Sequence, residues 1–197
     1  MMRRILLAAL LLAAPLAQAF DLERLSAQLA EPTVVRGPFI QEKHLRALPQ
    51  PLTSRGRFVL AKDRGLLWLL HSPLHQDYRI DDAGIARRDG DNWQRLPQQS
   101  AAAQQNRLFL AVLQGDGSGL QRDFELALSG AADAWRLTLI PRSALLQQIF
   151  SRIEISGGAR VERIELVETQ GDRTLLRLPQ SEAGAALNEA ERREFAP

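Results

Sequence analysis

The 197-residue chain carries 25 Lys+Arg against 23 Asp+Glu and no cysteine, which excludes a disulfide framework, thiolate metal sites and a thiol nucleophile. Arg3 and Arg4 belong to an N-terminal stretch that reads as a leader, and without them the charge balances at 23 to 23, so nothing supports nucleic-acid binding. Stability has to come from an ordinary hydrophobic core, for which the length is ample.

In chain order, Met1-Met2-Arg3-Arg4 is a short basic start, Ile5 to Ala14 an apolar run and Ala17-Gln18-Ala19 a small-x-small site. That is the pattern of a cleavable secretory signal over residues 1–19. The apolar run falls short of the roughly 20 residues a spanning helix needs. No cysteine follows the cleavage site, so a lipid-anchored mature terminus is not expected. Residues 20–197 then form one exported domain.

Phe20 to Ala30 reads as an amphipathic helix, with Leu22, Leu25 and Leu29 at helical spacing and Asp21 near its start; Glu31-Pro32 ends it. Apolar and polar residues then alternate with the period of two expected of strands over 34–45, 54–61 and 66–71, with turns at Pro49-Gln50-Pro51 and Asp63-Arg64-Gly65. Shorter strands follow at 75–80, 85–88 and 93–96, separated by the Asp- and Gly-rich turns at 81–84 and 89–92. The pattern switches at Gln98. Residues 98–114 lack Gly and Pro and place Leu108, Phe109, Val112 and Leu113 on one side, which predicts a helix closed by Gly115-Asp116-Gly117.

Strands resume with Phe124-Leu126-Leu128 and Trp135-Leu137-Leu139, running into Pro141. Residues 143–155 fit a loop or short helix feeding a strand. Strands at 161–169 and 174–178 flank the turn at Gly171-Asp172, and the tail from Ser181 to Phe195 reads as a loose Ala- and Glu-rich helix. About eleven short strands and three helices, all joined by short turns, predict an antiparallel meander.

No motif carries catalysis. His71 and His75 lie four apart but on strands joined by Pro73, so the helical geometry of two metal ligands is not available, and no acidic partner stands at a metalloprotease spacing. No Gly-x-Ser-x-Gly is present, and Gly115-Asp116-Gly117-Ser118-Gly119 lacks the Lys-Ser/Thr of a phosphate loop, which leaves it as a flexible helix exit. Neither an enzyme, a metal nor a cofactor is expected. The apolar residues say more. Phe39, Phe58, Leu60, Leu66, Trp68, Leu126, Trp135 and Leu137 would line a curved sheet, either as plain core or as the wall of a hollow that so few helices cannot fill. In the second case an acyl chain could replace helix side chains, gaining about 0.8 kcal/mol per buried methylene.

The segment Phe39-x-Gln41-x-Lys43, the Gly56-x-Phe58 strand, Leu67-Trp68 and Pro73 resemble the periplasmic outer-membrane lipoprotein carrier family, LolA. The resemblance rests on order and spacing over most of the chain beyond residue 19. It implies an unclosed, strongly curved antiparallel β-barrel with helices as a lid over a hydrophobic cavity. It also implies a periplasmic location and a role in taking a lipoprotein's acyl chains from an inner-membrane exporter to an outer-membrane acceptor; a monomer is expected. Cavity walls would be the eight residues above, and Leu108, Phe109, Val112 and Leu113 the lid. A lid latch would fall on Lys62 or Arg64, where the family has a basic residue that bonds lid carbonyls. Lysine offers a point charge, not a planar fork of donors, and so implies a looser latch. Leu66 stands where an aromatic is common, and a C-terminal helix appears in place of the family's extra strand. These departures suggest a divergent paralogue, with another lipid or hydrophobic product moved by a dedicated exporter as the alternative cargo. A lipid- or protein-sensing module is the further alternative.

Overall fold

The structure, a computed structural model, describes residues 20–97, 108 and 110–196. Twelve strands form one antiparallel sheet in these residues: β1 (Val34–His44), β2 (Leu52–Ala61), β3 (Gly65–Ser72), β4 (Gln76–Asp81), β5 (Gly84–Asp89), β6 (Asn92–Arg95), β7 (Phe124–Ala131), β8 (Ala134–Pro141), β9 (Phe150–Gly157), β10 (Val161–Glu168), β11 (Arg173–Arg177) and β12 (Glu182–Gly184). Their order is β6-β5-β4-β3-β2-β1-β11-β10-β9-β8-β7, with β12 beside β1. The sheet is two meanders joined through β1 and β11. Its two edges, β6 and β7, do not pair, so it stays unclosed.

Helices fill what the sheet leaves open. α1 (Leu22–Ala30) starts at Asp21, whose carboxylate accepts from the Arg24 amide at 2.9 Å. A helix α2 is described at 108 and over 110–114. The part of the expected helix at 98–107, and Phe109 with it, lies outside the described residues. α3 (Gly117–Asp123) follows at once. The glycine-rich stretch is therefore not a flexible exit. Asp116 accepts from the Gly119 amide at 3.0 Å and starts a second short helix, because its carboxylate satisfies one of the first-turn amides that a helix leaves without an internal partner. α4 (Ala144–Ile149), capped by Ser143, feeds β9 as a short helix before a strand.

The main core lies on the concave face, where residues of period two from nearly every strand meet α1, α2 and α3. A second, smaller core lies on the convex face of β1 to β3. There Val34, Val59, Ala61 and Leu67 are covered by Phe195. The expectation of a helical tail holds only in part. Beyond Leu178 the chain turns at Gln180, which has φ 59°, and β12 pairs Val34–Arg36 of β1 before α5 (Glu189–Glu194) begins. The extra strand forms because β11 pairs only Ile40–His44 and leaves the first half of β1 with unpaired backbone groups that β12 satisfies.

Candidate lipid site and its latch

The eight residues expected to wall a hollow come together on the concave face. Phe39, Phe58, Leu60, Leu66, Trp68, Trp135 and Leu137 are buried in one cluster, and Leu126 packs against it half-buried. Strand pairing explains the juxtaposition. Phe58 lies opposite Trp68 across β2 and β3, and Phe39 lies opposite Gly56 across β1 and β2. The Phe39 ring stacks on Trp68 with centroids 3.8 Å apart. Leu108, Val112 and Leu113, expected on the lid, are buried in the same cluster.

Two hollows of about 20 Å³ each remain between helices and sheet, room for a single water apiece. Among the described residues, the space where a standing hollow is expected is thus filled by the protein's own side chains. Leu126, Trp135 and Leu137 border one remnant, Phe58 and Leu60 the other, and Leu29 of α1 touches both. The expected lid comprises α2 alone, yet Leu25 and Leu29 of α1 are buried in the same cluster. The Leu22-Leu25-Leu29 spacing was the available signal. A groove of about 580 Å³ also opens where Leu110, Leu120 and Leu146 meet Arg122 and Asp82. Leu145, 57% exposed, stands at its rim.

Three hairpin turns grip the last residues of α1. Lys62 Nζ, from the β2–β3 turn, donates to the Ala30 carbonyl at 3.0 Å, where the helix end carries partial negative charge. Gln28 Nε2 donates to Gly158 O at 2.7 Å in the β9–β10 turn and to Ala132 O at 3.1 Å in the β7–β8 turn. Gly158 O also accepts from Trp135 Nε1 at 2.7 Å. Among the described residues Arg64 makes no side-chain hydrogen bond. Gly115, at φ 72°, brings the end of α2 against α1; a Cβ there would meet Ser26 O at 2.6 Å. The end of α2 is thus packed directly on α1.

The convex face is charged in contrast. Burial raises the Glu165 carboxyl, but the hydrogen bond and charge of Arg163 and the charge of Arg173 outweigh it and hold it below the usual 4.5. The hydrogen bond from Arg177 lowers Glu42 in the same way. Arg79 is depressed by its burial; it donates to Ala196 O at 2.5 Å, while Arg88 pairs with Glu194 and lies 4.2 Å over Trp93. Among the described residues no group of three or more His, Asp or Glu could hold a metal ion, and no helix is long and apolar enough to cross a membrane.

An unclosed antiparallel shell with an apolar concave face plugged by short helices defines the class: a lipoprotein-carrier-like fold. The profile described as "Outer membrane lipoprotein carrier protein LolA-like" matches residues 13–195, and the chain belongs to that family. Among solved structures it is similar to a LolA superfamily protein from Nitrosomonas europaea, at 10% identity and a TM-score of 0.53, with 87% of this chain and 97% of that one covered. It is also similar to a chain of the Pseudomonas aeruginosa MucA/MucB complex, at 20% identity and a TM-score of 0.51. There 89% of this chain is covered, and it spans 59% of that one. A DUF1329 family protein from Desulfovibrio piger aligns at 11% identity with a TM-score of 0.50, covering 86% of this chain and 93% of that one. No curated protein matches the chain.

Proposed function

We propose that this protein is a periplasmic carrier that shelters acyl chains under α1 and α2 and moves them from an inner-membrane donor to an outer-membrane acceptor, with no covalent chemistry. The supporting observation is the way the lid is held. α1 and α2 meet the sheet mainly through apolar side chains, which an alkyl chain can replace without leaving a polar group unsatisfied. The polar bonds from the sheet to α1 gather at Gln28 and Ala30, within its last three residues. Closed, the helices plug the shell; open, the apolar concave face is exposed and cargo covers it. Lys62 is the latch in this reading. Cargo then passes to whichever partner binds it more favourably.

Lipoprotein acyl chains are the cargo the family implies. The test is Leu108→Glu, which puts a carboxylate on the lid where it faces the core. The purified variant should keep its far-UV circular dichroism and lose the lipid that native mass spectrometry detects on the parent protein. Unchanged lipid occupancy would reject the lid account.

A further inference from the structure

A groove of about 590 Å³ opens on the outer side of the β10–β11 wall, lined by Arg160, Arg163, Arg177, Glu162 and Ser181 among others. Three guanidinium groups face it against one carboxylate. Arg163 and Arg177 are direct partners across β10 and β11, and like charges in that register repel unless an anion lies between or beside them. Each has one carboxylate, Glu165 at 2.5 Å and Glu42 at 2.9 Å. Arg160 has none among the described residues, and its buried Nε lacks any hydrogen-bond partner. An unsatisfied buried donor is costly, and a ligand oxygen would satisfy it.

The groove is not isolated from the interior. Arg160, Leu178 and Ser181 line both it and the small apolar hollow bordered by Phe58, Leu60 and Leu113. One wall thus separates a cationic outer cleft from the space that α1 and α2 plug. We propose that Arg160, Arg163 and Arg177 bind the phosphate headgroup of an amphiphile whose acyl chain takes the place of Leu29 and Leu113 beside that hollow when α1 and α2 lift away. A phosphate suits three forks of donors better than a carboxylate, whose two oxygens one arginine already occupies. The inference rests on the carrier reading and takes the other cargo that the sequence left open, a lipid in place of a lipoprotein, narrowed here to a phosphate-bearing one.

The test compares two probes with one acyl chain, a lysophosphatidic acid and the matching monoacylglycerol, with inorganic phosphate as a third, each titrated calorimetrically into the purified chain. The lysophosphatidic acid should bind about tenfold more tightly than the monoacylglycerol, the worth of one charge-assisted contact set. Arg160→Gln should erase that advantage. Equal affinity for the two lipids overturns the headgroup site and leaves the carrier reading standing. Binding of neither lipid overturns both. A preference that survives in Arg160→Gln/Arg177→Gln places the phosphate elsewhere and overturns the assignment, and inorganic phosphate binding as tightly as the lipid makes the cleft a free-anion site and overturns it too. The comparison of probes on the parent protein does not depend on how well the variants fold.

Discussion

Gly56 shows how one residue type sets the geometry of the concave face. It lies opposite Phe39 in the β1–β2 register, and a Cβ built there would stand 2.7 Å from the Phe39 ring and collide with the Leu69 carbonyl. The missing side chain is what lets the Phe39 ring lie flat over β2 and stack on Trp68. Three of the residues that carried the family resemblance therefore form one packing unit. Gly56→Ala has no room to relax, since Phe39 is 1% exposed and a backbone carbonyl blocks the other side. The substitution should destabilise the protein by about 2 kcal/mol or more, read as a lower urea midpoint at unchanged slope. An unshifted midpoint would mean the ring has freedom that its packing denies.

At the scale of elements, the strands were legible because their alternation has period two and their turns carry Asp and Gly in the right places. Residues 134–141, for example, alternate buried and exposed as Trp135, Leu137 and Leu139 predict, and over 124–128 the buried Phe124 and half-buried Leu126 and Leu128 alternate with exposed residues. What alternation could not show was a second apolar face. Phe58-Val59-Leu60-Ala61 and Leu66 to Leu70 are continuous apolar runs, the mark of strands covered on both sides, yet the element that covers them is more than a hundred residues away. β12 was hidden for a similar reason: Glu182-Ala183-Gly184 has no strand propensity and pairs only because β1 offers a vacant edge. Of the candidate site, the clustering of the eight apolar residues was legible and the filling of the space between them was not, since spacing shows which face of α1 turns inward but not how much volume it occupies. The C-terminal segment is clamped where Arg36 grips Glu191 at 2.9 Å through two bonds and Phe195 enters the convex core. Phe195→Ala should therefore cost about 3 kcal/mol, the lower end for a buried ring because that core is small. Urea unfolding followed by tryptophan fluorescence would show it, Trp93 lying in the same cluster. If the midpoint stays put, the tail unfolds apart from the sheet.

For the whole molecule, the consequential property is an unequal distribution of restraint. Strand is bonded to strand along the entire sheet from β6 to β7, whereas α1 is fixed by apolar contacts and by bonds to turns at Gln28 and Ala30. Local opening follows the weakest cooperative unit, so α1, with α2 tied to it through Gly115, should open well below the free energy of global unfolding. Removing one solvent-exposed bond should then act on the lid alone. In Lys62→Ala, backbone amides of α1 should exchange with deuterium about threefold faster, the scale of a single exposed hydrogen bond, while amides of β9 and β10 keep their rates. Uniform acceleration across helix and sheet would show that Lys62 stabilises the fold as a whole. Unchanged exchange in α1 would show that its bond to Ala30 restrains nothing. Either result would remove the latch from the carrier mechanism, leaving lid opening to be governed by the apolar contacts of Leu25, Leu29 and Val112 with the shell.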